Sequence, residues 1–178
     1  MTRRSDTMIT INPSLPTERA DIERVTLAAG NFAGDELTTP LELFDGYVRD
    51  AKASGYNFLS AKRDARLVGY ACYGPTALTE ATFDLYWIVA EAAEHGTGTG
   101  RALFDRVIEE IKKRGGRLLV IWTSSAPHYD RARKFYERMG CKLEARIQTF
   151  YRAEDDLCVY IYRMQNQAGS VIPANPSP

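Results

Sequence analysis

Thr82-Phe83-Asp84-Leu85-Tyr86-Trp87-Ile88-Val89-Ala90 runs through Glu91 to Glu94 into His95-Gly96-Thr97-Gly98-Thr99-Gly100-Arg101, and this stretch decides the fold. Its first nine residues are β-branched, aromatic and aliphatic between turn formers, which predicts a strand. After the glycines, Leu103, Phe104, Val107, Ile108 and Ile111 recur at helical spacing until Gly115-Gly116 stops the pattern. A strand that passes through a glycine-rich turn into a helix is a device for holding phosphate. Glycines let successive backbone N–H groups point into one concavity, and the helix N-terminus adds partial positive charge. The stretch therefore points to an enzyme that binds a phosphorylated cofactor.

The flanking chain supplies the rest of one α/β domain. Upstream, a short strand at 8–11 precedes a helix over 17–29, with Thr17 placed to cap it. A second helix follows over 39–53, with Pro40 in its first turn and Gly55 beyond its end. Strands at 56–62 and 66–73 around the polar turn 63–65 predict a hairpin. Downstream, the apolar run 117–123 predicts a central strand with both faces covered. A helix over 129–139 carries Ala132, Phe135, Tyr136 and Met139 at helical spacing and closes on Gly140. Strands at 142–151 and 157–164 flank the acidic turn Glu154-Asp155-Asp156. The order β-α-α-β-β-β-α-β-α-β-β predicts a single α/β domain over 8–164, a mixed central sheet of six to seven strands flanked by four helices. Residues 1–7 read as a disordered lead and 165–178, rich in Gln, Asn, Ser and Pro, as a disordered tail.

Composition excludes several classes. Lys plus Arg and Asp plus Glu both number 23 in 178 residues, so no global field draws the chain to nucleic acid or an anionic membrane. No apolar run reaches the length of a membrane span, and the first residues lack the apolar core of a signal peptide. Cys72, Cys141 and Cys158 are widely spaced without a CxxC and read as buried, reduced thiols of a cytoplasmic protein. Two histidines, His95 and His128, argue against a histidine-rich metal site, and no metal is expected.

The glycine turn has rivals to exclude. A Walker A loop needs GxxxxGK[ST], but Gly100 is followed by Arg101-Ala102. A dinucleotide fingerprint needs GxGxxG; Gly96 and Gly98 supply two glycines, and Arg101 occupies the third position. The Rossmann unit also starts near the front of its domain, whereas several strands precede this turn. A purely structural turn needs fewer than three alternate glycines.

At these residues the sequence resembles the GNAT N-acetyltransferase superfamily. The family's Q/R-x-x-G-x-G/A loop corresponds to His95-Gly96-Thr97-Gly98-Thr99-Gly100. Its second signature, Ala-x-x-x-Tyr-Glu-x-x-Gly-Phe, corresponds to the run from Ala132 through Tyr136-Glu137 to Gly140-Cys141. The resemblance spans about 9–164, and the two motifs occur in the family's order. His95 stands in place of the usual Gln or Arg, Ala92 where proline is frequent, and Tyr129 where an Asn often contacts the pantetheine arm.

The resemblance implies acetyl-CoA as donor and a primary amine as acceptor, joined by direct attack without an acyl-enzyme. It implies that the loop residues His95, Gly96, Thr97, Gly98, Thr99 and Gly100, with Arg101 and Arg133 as added charge, hold the coenzyme's phosphates. Ile88, Val89 and Ala90 would pair with the pantetheine arm, and a backbone N–H there would stabilise the developing oxyanion. Tyr136 is the expected acid for the departing thiolate. Asp84, a charge inside an otherwise apolar strand, is the expected base. A lysine-like amine lies about 4.6 kcal/mol from its neutral form at pH 7, and an α-amine about 1.4, so a base matters most for the first. The acceptor site would draw on the first two helices and the last hairpin, where Asp35, Glu36, Phe32, Phe150, Tyr151 and the acidic turn suit a small cationic amine. Protein N-termini or lysines, a coenzyme A-binding module without turnover, and a nucleotide-binding domain stand as alternatives. The last hairpin is also placed to pair with a second copy of the chain.

Overall fold

A computed structural model describes residues 8–164; the expected lead and tail lie outside the described residues. The chain runs β1 Ile9–Pro13, α1 Arg19–Ala29, α2 Asp35–Ser54, β2 Asn57–Arg63, β3 Arg66–Pro75, β4 Thr82–Ala90, α3 Thr99–Lys113, β5 Leu118–Ser124, α4 Asp130–Arg138, β6 Lys142–Arg152 and β7 Asp155–Arg163. Short 3-10 turns lie at Pro16–Glu18, Ala92–Glu94 and Pro127–Tyr129. The seven strands form one sheet in the order β1-β2-β3-β4-β5-β7-β6. Only β4 and β5 pair in parallel, because α3 carries the chain back between them; every other pair is antiparallel.

Side-chain alternation along β2 and β3 feeds two cores, one on each face of the sheet. Leu59, Val68, Ala71 and Tyr73 join Leu103, Phe104, Val107 and Ile111 of α3. Phe58, Leu67, Tyr70 and Cys72 join Ile22 and Val25 of α1 and Leu41 and Phe44 of α2. With helices on both faces, eight successive residues of β3 are buried. The β2–β3 turn is tight because Asp64 and Ala65 both take positive φ, 51° and 65°, the pairing a two-residue hairpin requires.

Three expectations are corrected. Thr17 does not cap α1: residues 16–18 form a 3-10 turn, and the buried Glu18 carboxylate accepts the Leu15 N–H at 3.0 Å instead. The second helix starts at Asp35, so Pro40 lies inside it; Glu36 accepts the Ala33 N–H at 3.1 Å and supports the earlier start. The strand expected at 117–123, observed at 118–124, is not covered on both faces along its length. Leu119 and Ile121 join the α3 core, whereas Trp122 is 58% exposed on the other face.

The feature that positions the site is a parting of strands. The β4–β5 ladder pairs Thr82 through Leu85 with Leu118 through Ile121 and stops there. Opposite β3, Cys72 faces Trp87 and Tyr73 faces Leu85, so Tyr86 is the extra residue of a bulge. A bulge increases local twist and turns its strand aside. Residues 86–90 of β4 stay on β3 while β5 continues along β7, and a wedge opens between them.

Candidate active site

The wedge leads into a cleft of about 760 Å³. One wall is Ile88, Val89 and Ala90 of β4; the floor is the glycine loop; the facing wall is one side of α4, and the end of α1 with Phe32 closes the rim. Phe32 is held edge-on against Trp87 of β4, with ring centroids 5.3 Å apart.

The three glycines serve two purposes. Gly96 and Gly98 have φ of +81° and +92°, a conformation side chains rarely adopt, and a Cβ on either would meet open space. The loop backbone therefore faces the cleft directly. A Cβ on Gly100 would lie 3.3 Å from the Phe135 ring, so this glycine lets α3 approach α4. The first N–H of α3 to find a helical acceptor is that of Ala102, on Gly98 O at 2.9 Å. The N–H groups of Thr99, Gly100 and Arg101 precede it at the positive end of the helix.

Below the loop, Glu94 Oε2 accepts hydrogen bonds from Thr99 Oγ1 at 2.7 Å, Thr97 Oγ1 at 2.8 Å and Arg63 at 3.1 Å. Burial raises the pKa of this carboxyl, but those donors outweigh burial and the net shift is downward. Thr97 and Thr99 thus turn their hydroxyls to Glu94, and neither expected coenzyme contact lines the cleft. Glu91, buried at the end of β4, pairs with Arg24 and Arg66 and ties α1 to the sheet beside the loop.

The charged residues divide sharply. Arg101 lines the cleft and sits 3.5 Å from Asp105 along its own helix. Arg133 does not line it: the guanidinium donates to the carbonyls of Ser124 at 2.5 Å and Ala126 at 3.0 Å and clamps the turn between β5 and α4. Arg131 and Arg138 do line the cleft, and the Arg131 guanidinium bonds to Nδ1 of His95. Sequence reading passed over Arg131 and Arg138 because nothing in their spacing separates them from the surface charge of α4. The pKa of His95 is lowered, by burial first and by Arg131 second.

Tyr136 lies at the inner end of the cleft, 8% exposed, packed on Phe135 and Tyr160. Burial, with a smaller contribution from Cys141, drives its phenol pKa well above the usual value. Asp84 is not on the cleft. Phe83 and Leu85 on either side of it point into the α3 core, so Asp84 projects from the opposite face of the sheet. There it accepts a hydrogen bond from Thr76 Oγ1 at 2.7 Å. The fold therefore gathers Ile88, Val89, Ala90, His95, Gly96, Gly98, Gly100, Arg101 and Tyr136 around one space and sets Asp84 across the wedge from it.

On that second face stand Trp122 and Phe150, edge-on at 6.0 Å, and Tyr151 beside Phe150 at 5.0 Å. Tyr129 donates its phenol to Glu36, a bond that straps the turn before α4 to the start of α2. Burial, and then this hydrogen bond, raise the Tyr129 pKa. Ser124 is committed as well, bonded to the buried Asp155 and accepting the Ala126 N–H at 2.9 Å. Among the described residues no group of three or more His, Cys, Asp and Glu side chains is set to hold a metal ion, and no helix is long and apolar enough to cross a membrane.

The comparisons with known proteins give the class of protein that carries this fold, an acyltransferase. The chain belongs to the GNAT acetyltransferase family, whose model matches residues 23–141. A crystal structure of a GNAT-family acetyltransferase from Desulfovibrio desulfuricans is 39% identical, covering 88% of this chain and 99% of that one, with a TM-score of 0.83. Two more distant structures share the fold. The ribosomal-protein-S18-alanine N-acetyltransferase of Escherichia coli is 17% identical, covering 92% of this chain and 99% of its own, with a TM-score of 0.72. The acetyltransferase yncA of Salmonella typhimurium, solved with its cofactor acetyl-CoA, is 18% identical over 93% and 99%, with a TM-score of 0.71. No protein of curated function matches the chain significantly. The enzyme is an acyltransferase that depends on acetyl-CoA, and the residues fit that donor: an open glycine cradle, a helix N-terminus and several cations meet at one mouth.

Proposed function

We propose that the enzyme moves the acetyl group of acetyl-CoA to the primary amine of a small molecule by direct attack. The observation that carries this reading is the opening between β4 and β5 beyond Leu85 and Ile121. It joins the glycine-floored cleft on one face to a surface on the other that offers the Asp84 carboxylate and the aromatic rings of Tyr86, Trp122 and Phe150. Acetyl-CoA supplies an acetyl group already activated as a thioester.

The chain's own groups do the rest. A backbone N–H in residues 88–90, on the strand edge that has no β5 partner, polarises the carbonyl. Asp84, oriented by Thr76, takes the ammonium proton directly or through water. Tyr136 keeps its proton across neutral pH because burial disfavours the phenolate, so it has one to give. Rings and a carboxylate suit a cation with an apolar body, through burial and cation–π contact.

The test is a thiol-release assay with acetyl-CoA against amines, amino acids and peptides, with a no-acceptor control. Release that depends on one class of small amine is the expected result. Release with peptides alone would replace the small molecule by a protein acceptor. Silence across the panel, with coenzyme binding intact, would move the chain toward a binding module.

A further inference from the structure

The cleft mouth contains a pairing that the glycine loop does not require. His95 ends the 3-10 turn before the loop, and Arg131 sits in the first turn of α4, yet the two side chains meet over 36 residues of sequence. Arginine has N–H donors and no acceptor, so Nδ1 of His95 must present its lone pair. The ring is then neutral, its proton fixed on Nε2, and its free edge is a donor. The other charged groups nearby do not compete for this contact. Glu94, next in sequence, is committed to Arg63, Thr97 and Thr99. Arg101 stands against Asp105, and Arg138 lies two turns further along α4. Arg133, the other arginine of that helix near the loop, has its donors on two carbonyls of the preceding turn.

We propose that Arg131 and neutral His95 act as one anion clamp that holds phosphate of the coenzyme against the glycine loop, a task in which Arg133 takes no part. The proposal rests on reading the cleft as the acetyl-CoA site. Physically, an arginine reaching out alone would lose side-chain freedom on meeting phosphate; one already held by His95 has lost most of it beforehand. His95 thus positions Arg131 and adds its own Nε2–H. A glutamine at 95 would do the same, because its amide oxygen accepts from Arg131 and its NH₂ donates outward.

Calorimetry with coenzyme A, dephospho-coenzyme A and pantetheine tests this, alongside thermal melts that check folding. Arg131→Gln is expected to weaken coenzyme A at least tenfold and leave pantetheine, which has no phosphate, unchanged. An equal loss with dephospho-coenzyme A places the clamp on the pyrophosphate, and a loss with coenzyme A alone places it on the 3′-phosphate. His95→Leu is expected to lose several-fold, His95→Gln to stay within threefold of wild type, and His95→Leu with Arg131→Gln to lose clearly less than the two single losses multiplied together. Unchanged coenzyme A affinity in Arg131→Gln, or fully additive losses in the double variant, overturns the clamp while leaving the coenzyme reading intact. A wild-type protein that binds no coenzyme A overturns both.

Discussion

β3 and β6 are nearly equal in length and belong to one sheet, yet eight successive residues of β3 are buried and all eleven of β6 are exposed. The difference lies in what covers them. β3 has a neighbour on each side, α3 on one face and α1 on the other. β6 is an edge strand, and the α1–α2 core includes no residue of β5, β6 or β7. The two halves of the sheet have therefore been given different work. The first half holds the domain together. The second leaves one face bare, and that face lies beside the opening between β4 and β5.

The contrast predicts a division between stability and activity. The largest effect is expected for Leu67→Ala in β3, which removes a fully buried side chain of the α1 core. It should cost about 2–5 kcal/mol in urea unfolding, and a loss under 1 kcal/mol would break the picture of β3 as the structural centre. Tyr136→Phe should lower kcat at least tenfold, about 1.4 kcal/mol of barrier, with coenzyme affinity unchanged by calorimetry. An unaltered kcat would remove the acid from the scheme.

A pH effect belongs to the first half as well. Burial raises the Glu18 pKa, but bonds from Lys62, Ser60 and the Leu15 N–H outweigh it, and the net value falls below the ordinary 4.5. A depressed folded pKa means its stabilisation is fully present above about pH 4.5 and is lost as pH falls through the lower folded value. Unfolding midpoints measured from pH 6 to 3 should show a shallower acid decline in Glu18→Gln; an identical slope would assign the decline to other carboxylates. In the second half, Trp122→Ala should shift stability by less than about 1 kcal/mol, because its ring is already largely exposed. It should instead raise the acceptor KM several-fold. Ile147→Ala in β6 is expected to change stability by no more than about 0.5 kcal/mol, and a larger loss would mean that β6 is covered in solution.

Much of this was legible in the chain. The strand at 82–90, the helix at 99–113 and the order of elements follow from local periodicity, because each rests on residues close in sequence. The family was legible too, through two motifs whose spacing the fold preserves. Helix starts were less so: Pro40 suggested a first turn, but a helix can begin five residues earlier when a glutamate satisfies a free N–H at its start. The apolar run at 117–123 looked buried on both faces, since a strand beside an opened wedge reads the same as a strand beneath a helix.

The sequence by itself determined the fold, the family and the backbone cradle, all properties of contiguous residues whose conformational preferences and hydrophobic spacing act locally. Tertiary structure alone decided which side chains face the cleft. Arg131 and Arg133 are two residues apart on one helix, and a rotation of about 200° between them sends one to His95 and the other to the carbonyls of Ser124 and Ala126. Asp84 and Tyr136 are likewise separated by the sheet: strand alternation turns Asp84 away from the core in which Phe83, Leu85 and the α4 residue Tyr136 pack.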